Sequence, residues 1–340
     1  MKILVTGGLG YIGSHTVIEL SKNFEILIVD NLINSELSNL NRIKKLSVNN
    51  IVFENVDLSK KEEVSELFTK YTNIHTIFHF AALKSVSESV EKPKKYHDNN
   101  VLSVQNIINE IKNRKLTIDF IFSSSCTVYG LPDKLPLDEN HKLNDAISPY
   151  ARTKQICESI LIEYSSENKN FNTVILRYFN PIGAHPSSEI GELPVGKPQN
   201  LIPFITQTVA GIRDFLTVFG DDYETHDGTC IRDYIYIGDL AKAHICAMNY
   251  LIKNKCINHE IFNLGTGKGF SVFEIIKLFE KTTGKKINYK VGPRRKGDLK
   301  SAYSDNKKAI EILKWKPEIS IEEALLTAWN WEKKIITLNT

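Results

Sequence analysis

The sequence has no run approaching the ~18 uncharged apolar residues that a membrane-crossing helix needs. Its opening, Met-Lys-Ile-Leu-Val-Thr-Gly-Gly, holds an apolar stretch too short for a secretory leader and passes straight into glycines. Cysteine is sparse. The five thiols (Cys126, Cys157, Cys230, Cys246 and Cys256) are odd in number, and none stand at metal-ligand or redox-pair spacing, so they read as reduced packing residues. No excess of one charge exists: 43 Lys and Arg against 40 Asp and Glu leave +3. Nucleic-acid binding wants a concentrated basic face, whereas pairs such as Lys44-Lys45 and Lys285-Lys286 read as solvated. There is neither an internal repeat nor a low-complexity tract. These absences lead us to expect a cytoplasmic protein with no nucleic-acid partner, no membrane partner and no metal.

What is present is the composition of a folded enzyme-sized chain: 340 residues, 42% hydrophobic and 24% charged, enough for about two domains. The first half alternates short apolar runs with helical patterns. Ile3–Val5, Ile26–Val29, Ile51–Phe53, Ile77–Phe80, Phe120–Phe122 and Val174–Leu176 are continuous rather than alternating, which predicts strands covered on both faces. Glu62–Tyr71 and Val101–Asn113 have helical period. Strand-helix alternation predicts a doubly wound parallel sheet. After Phe179 the texture changes: Pro181, Pro186, Pro194 and Pro198 mark the stretch 180–200 as long loops. Beyond it a strand is expected at Asp233–Ile237, a helix at Asp239–Ile252 and a strand at Ile261–Leu264. We therefore expect one domain over residues 1–180, with a return segment at about 232–265, and a smaller α/β substrate domain over 181–340.

The first strand is followed by Gly7, Gly10 and Gly13 in a Gly-x-x-Gly-x-x-Gly pattern that opens a helix. Gly7 permits the tight turn, Gly10 lets backbone approach a pyrophosphate, and Gly13 allows close helix-strand packing. The helix N-terminus offers free N–H groups and a positive dipole end to the anion. The second strand ends at Asp30, 17 residues past Gly13. A carboxylate there accepts from both ribose hydroxyls and repels a 2′-phosphate, so the expected cofactor is NAD.

A second constellation concerns proton transfer. Ser148-Pro149-Tyr150-Ala151-Arg152-Thr153-Lys154 begins a helix and sets Tyr150 and Lys154 on one face. A nearby ammonium, joined by a cationic nicotinamide ring, is expected to pull the phenol toward its phenolate and make Tyr150 a general base. The pair Tyr303/Lys307 has the same spacing, but only Tyr150/Lys154 is accompanied by the hydroxyl-rich run Ser123–Gly130 after a strand. A hydroxyl of that run is thus the expected proton relay, and Tyr303/Lys307 is read as structural. His75 and His79, four apart on a strand, do not converge on a metal.

Together these residues resemble the extended short-chain dehydrogenase/reductase family, in particular its sugar-nucleotide epimerases. The resemblance runs nearly end to end through Thr6–His15, Val29–Leu32, His79–Val86, Asp98–Asn100, Ser123–Gly130, Tyr150/Lys154 and Leu176–Pro186. It continues through Asn200–Pro203, Asp227–Thr229, Arg232–Tyr234 and Arg294–Asp298. It implies a Rossmann-type sheet and NAD-dependent 4-epimerisation of UDP-hexoses. It implies that Tyr11, Ile12, Asn31, Asn34, Ser35, Asp57, Leu58, Phe80, Ala81, Lys84, Asn99 and Phe179 join the glycines, Asp30, Tyr150 and Lys154 around NAD. Asn180, Asn200, Leu201, Phe219, Arg232, Arg295 and Asp298, with Lys84, Ser125 and Tyr150, are implied to hold the UDP-sugar, and the proton relay is implied to be Ser125. Arginine suits the diphosphate because its fork matches phosphate oxygens. Ala302 stands where galactose-restricted members carry tyrosine, which implies room for an N-acetylated sugar; a one-residue slip would put Tyr303 there instead. A homodimer through the helices around 100–114 and 150–166 is implied too. Two rivals remain. A dehydratase of the same fold would carry an Asp-Glu pair after Thr127, where Val128 and Tyr129 stand. A non-catalytic NAD sensor would not need Ser125, Tyr150 and Lys154 together.

Overall fold

The computed structural model describes residues 2–254, 257–295 and 297–339; Cys256 and Lys296 lie outside them. Six strands predicted from apolar runs form in order: β1 (Lys2–Thr6), β2 (Glu25–Asp30), β3 (Ile51–Asn55), β4 (Ile74–His79), β5 (Ile118–Ser125) and β6 (Phe171–Tyr178). Between them run α1 (Tyr11–Leu20), α2 (Ser38–Leu46), α3 (Lys61–Lys70), α4 (Val86–Glu91), α5 (Pro93–Arg114) and α6 (Pro149–Glu167). The second half adds β7 (Asn180–Ile182), α7 (Leu201–Val209), β8 (Leu216–Phe219), β9 (Ile231–Tyr236), α8 (Ile237–Lys253), β10 (His259–Leu264), β11 (Gly269–Ser271), α9 (Val272–Thr283), β12 (Tyr289–Gly292), β13 (Ser301–Ala302) and α10 (Ile321–Asn339).

The main sheet is parallel and seven-stranded, in the order β10-β6-β5-β4-β1-β2-β3. Its strands alternate side chains between two apolar layers. Ile3, Val5, Ile26, Ile28 and Val174 pack with Val17 and Ile18 of α1 and Leu240 and Leu251 of α8. Leu4, Leu27, Val29, Phe120 and Ile175 pack with Phe68 of α3, Val104 and Ile111 of α5 and Leu161 of α6. Continuous apolar runs follow from this, because both faces of each strand leave water. The chain order reverses between β1 and β4, which opens a crevice at the carboxyl ends of the strands.

A second sheet centres on β9, which pairs with β7, β11 and β13. Only α8 and β10 of the expected return segment join the first layer; β9 goes to the second sheet. The stretch 180–200 is less irregular than its prolines suggest, since β7 pairs with β9 and Ala184 bridges Gly191. Helix α5 starts two turns earlier than its apolar period, at Pro93. No helix among the described residues is long and apolar enough to cross a membrane.

Candidate active site

The glycine loop joins β1 to α1 with Gly7 at φ +66°, and a Cβ there would lie 2.6 Å from the Ala81 backbone nitrogen. A Cβ on Gly13 would sit 2.3 Å from the Gly7 carbonyl oxygen. Both positions exclude side chains. Gly10 differs: only the Gly7 carbonyl, at 3.2 Å, lies near its would-be Cβ, so this face is open to a ligand. Gly10 also caps α1 without a side-chain bond, which leaves first-turn N–H groups free.

Asp30 is buried and held rigidly. Its Oδ2 accepts from Leu9 N at 3.1 Å, and its Oδ1 from Leu32 N at 3.0 Å and Ser35 Oγ at 2.7 Å. Ser35 therefore acts on Asp30. Asp30, Asn31, Asn34, Asp57, Leu58, Ala81 and Asn99 line one cleft of about 390 Å³, open to solvent, together with Ile33, Val56, Ser59 and Ser103. Asn34 Nδ2 ties the cleft rim to Ala82 O at 3.3 Å. These residues fit a dinucleotide: an anion-ready helix end lies near a solvent-open cleft lined by a carboxylate. Ile12 is half-buried in the first turn of α1, and the Tyr11 hydroxyl donates to Gly183 O at 2.6 Å. The Phe80 ring packs against His244, with ring centroids 4.8 Å apart. Phe179 packs with Val128, Tyr129 and Leu137 beneath the hydroxyl-rich run.

That run leaves the carboxyl end of β5. Ser125 caps a 3₁₀ turn (Cys126–Tyr129) and accepts from Thr127 N at 3.3 Å and Thr127 Oγ1 at 3.1 Å. Helix α6 starts where Pro149 predicts, capped by Ser148 Oγ, which accepts from Ala151 N at 3.2 Å. Tyr150 in its first turn faces Ser125. Burial pushes the Tyr150 phenol up to about 12, a rise that hydrogen bonding from Ser125 only partly offsets. The expected lowering by Lys154 does not occur within the chain alone. The ammonium of Lys154 is spent on Ser123 O, to which it donates at 2.6 Å, and it stands 4.8 Å from the Phe122 ring centroid. Burial lowers Lys154 to about 8, with Cys157 and Glu158 pulling it back up. Desolvation thus outweighs the hydrogen bond on Tyr150 and the neighbouring charges on Lys154.

Beneath them, a buried ion pair fixes the strand ends. Arg177 Nη2 lies 2.6 Å from Glu158 Oε2 and its Nε 3.0 Å from Oε1, while Ser124 Oγ donates to the same Oε1 at 2.5 Å.

The opposite wall is built on β9. Arg232 Nη2 lies 3.6 Å from Asp298 Oδ1, and Arg295 Nε lies 3.4 Å from Asp298 Oδ2. The Arg295 guanidinium stacks 4.8 Å from the Phe219 ring centroid. These four residues therefore meet as one cluster with fork-shaped donors. Ala302 is buried and in register with Arg232, whereas Tyr303 lies on the other face of its strand, against Gly269. Register thus places the alanine, not the tyrosine, beside Arg232. Asp233 secures this register: it accepts from Thr266 N and Oγ1, Gly267 N, and Ser304 N and Oγ.

Asn180 opens β7 beside Tyr234 of β9, and Asn200 caps α7 ahead of Leu201. Lys84 and Asn200 both turn to Glu192, a residue that sequence reasoning missed. Cys126, read from the sequence as a packing thiol, follows Ser125 at the start of the 3₁₀ turn and is half-buried, and desolvation raises its thiol despite the Arg232 charge. The rival Lys307 pairs with Asp305 at 3.2 Å, and His79 is bonded to Thr6 Oγ1 at 2.9 Å while His75 is exposed. Among the described residues, no group of three or more His, Cys, Asp or Glu side chains is placed to hold a metal.

The family model described as GDP-mannose 4,6 dehydratase matches residues 4–327. The UDP-glucose 4-epimerase uge1 of Schizosaccharomyces pombe is 45% identical over 337 residues, covering 98% of this chain and 94% of that protein. A UDP-glucose 4-epimerase from Bifidobacterium longum, crystallised with NAD+ and UDP, superposes with TM-score 0.94 at 39% identity, covering 98% of each chain. The UDP-Glc/GlcNAc 4-epimerase of Campylobacter jejuni superposes with TM-score 0.83 at 37% identity, covering 98% of this chain and 99% of that one. With motifs, sheet order and relatives in agreement over nearly its whole length, the chain belongs to the extended short-chain dehydrogenase/reductase family, and within it to the UDP-glucose 4-epimerases.

Proposed function

We infer that the chain interconverts UDP-galactose and UDP-glucose with NAD as its cofactor. What supports this reading is the presence of two groups in one chain: Ser125, Tyr150 and Lys154 in the first, and the Arg232–Asp298–Arg295–Phe219 cluster in the second. A proton-transfer group at the carboxyl end of β5 is thus combined in one chain with a fork-shaped, diphosphate-binding group on and near β9. Gly7, Gly10 and Gly13 would hold the cofactor's pyrophosphate and Asp30 its ribose. NAD, when bound, supplies the acceptor and donor of the hydride at the sugar's C4. Tyr150 takes the 4-hydroxyl proton, aided by Ser125, and returns it after the 4-keto sugar has turned over. C4 is inverted and nothing is oxidised overall. Burial holds the free Tyr150 protonated at neutral pH, so its action as a base depends on positive charge arriving beside it. Lys154 and its bond to Ser123 O position that end of the site.

Ala302 beside Arg232 supports acceptance of UDP-GlcNAc and UDP-GalNAc as well, because a methyl group leaves room where a phenol ring would stand. A dehydratase is not favoured: Val128 and Tyr129, both buried, follow Thr127, and no acid is there to protonate a leaving oxygen. We also propose two functional units, a dinucleotide-binding one built on residues 1–180 and a UDP-sugar one within 181–340, and a cytoplasmic homodimer through α5 and α6.

The test is to give the purified protein UDP-Gal and UDP-GalNAc in parallel and follow epimer ratios by NMR. Turnover of both, lost in Tyr150→Phe, is expected. Ala302→Tyr should abolish turnover of the N-acetylated pair and keep the other; unchanged N-acetylated turnover would sink the open-pocket reading. Turnover of neither sugar by wild type, with NAD bound, would replace the epimerase by a sensor.

A further inference from the structure

Glu192 occupies an unusual place. Its side chain is only 11% exposed, and a single oxygen, Oε1, receives Lys84 Nζ at 3.0 Å and Asn200 Nδ2 at 2.7 Å. Lys84 belongs to the loop that leaves β4 at the carboxyl edge of the main sheet, and Asn200 to the residue just before α7 on the opposite wall. Asn200 makes no cap bond to its own helix, having given its amide to Glu192. A second contact crosses the same gap nearby, Ser87 Oγ to Gln199 Oε1 at 3.2 Å.

The backbone of Glu192 is held from behind. Trp331 of α10 donates its indole N–H to Glu192 O at 2.9 Å, and a Cβ on the preceding Gly191 would lie 2.5 Å from the Trp331 ring. Arg42 stacks on the far side of the same indole region, 5.0 Å from the ring. Glu192 also shares a cavity with Tyr11, in the first turn of the phosphate-loop helix, and its charge is felt there. A negative group beside an anion-ready helix end opposes ligand phosphates unless it is neutralised.

We propose that Glu192 is a positioning residue that joins the cofactor wall to the sugar-nucleotide wall. It aims Lys84 and Asn200 from one anchored oxygen, and Lys84 cancels its charge. This rests on the proposed function. Because one oxygen accepts both bonds, Glu192→Gln retains the geometry, whereas Glu192→Asp is one methylene too short to reach both partners. Glu192→Ala loses both.

Steady-state turnover of UDP-galactose, inhibition by UDP and thermal melting should be measured for these three variants, for Lys84→Ala and for Lys84→Ala/Glu192→Ala. Wild-type turnover tests the function; ratios to wild type test this proposal. Glu192→Ala and Glu192→Asp should raise KM and the UDP inhibition constant about tenfold while kcat stays within about twofold, the pattern of lost uniform binding. Glu192→Gln should stay within about threefold of wild type. The double variant should lose no more than the worse single one, because the two side chains act as one unit. Aspartate and glutamine variants both matching wild type would overturn the proposal. So would multiplying effects in the double variant, or a fall in melting temperature and kcat together that glutamine does not rescue. Should Glu192→Ala not fold, the Asp–Gln contrast decides.

Discussion

At the scale of single residues, the site is governed by desolvation. Desolvation pushes the half-buried Tyr150 up to about 12 and the buried Lys154 down to about 8. Tyr150→Phe removes the proton acceptor and should lower kcat by about 10²–10⁴, with UDP affinity within about twofold by the inhibition assay. For Lys154 the sign runs against the usual salt-bridged lysine. Between about pH 8 and its ordinary 10.5, the folded state holds fewer protons than the unfolded one, so its contribution to stability rises as pH rises. Lys154→Met should therefore be more stable than wild type at pH 7. The gap should shrink between pH 8 and 10, as measured by urea denaturation; a constant gap would show that burial does not set this lysine's ionisation. Much of this scale was legible in the sequence, since Tyr150 and Lys154 were found from spacing and context, with Ser125 picked out of the hydroxyl run by the resemblance. The direction of the Tyr150 shift was not, because the sequence shows which charges are near in number but not that Lys154 donates to Ser123 O.

At the scale of elements, the main-sheet strands were legible because burial on both faces writes unbroken apolar runs such as Ile26–Val29. The parallel pair β8 and β12 was not: its members lie some seventy residues apart, and β12 is largely exposed, so no run marks it. The start of α5 was hidden by Lys94, Lys95, His97 and Asp98 around the fully buried Tyr96. Glu192 was illegible for a related reason, since Lys84 lies 108 residues away and only the fold brings them together. The junction of α6 with β6 depends on one ion pair, Glu158–Arg177, which also orients Ser124. Glu158→Ala leaves an unpaired buried guanidinium and should cost about 3–5 kcal/mol, read as a lowered denaturation midpoint with unchanged slope. A loss below about 1 kcal/mol would mean that water reaches Arg177 in its place.

At the scale of the whole molecule, the chain does not finish one layer before starting the next. It leaves the main sheet after β6, builds β7 and β9 of the second sheet, and then returns with α8 against α1 and β10 against β6. A fragment ending at residue 180 lacks the strand that covers β6 and the helix that covers the apolar face of α1. It should give no cooperative thermal transition and weak near-ultraviolet circular dichroism, whereas the full chain should melt cooperatively and show a strong near-ultraviolet signal.

This threading has a bearing on how the protein is made. Strands β1 to β6 leave the ribosome first, yet the layer they form stays open on one flank until residue 264 has emerged. Domains that are contiguous in sequence can close one after another during synthesis. Here the nascent first half waits, with Val174 and Leu176 uncovered, while β7, α7, β8, β9 and α8 are translated in between. The two halves are thereby committed to maturing together, and neither can be inherited, swapped or expressed as a free-standing module without its edge.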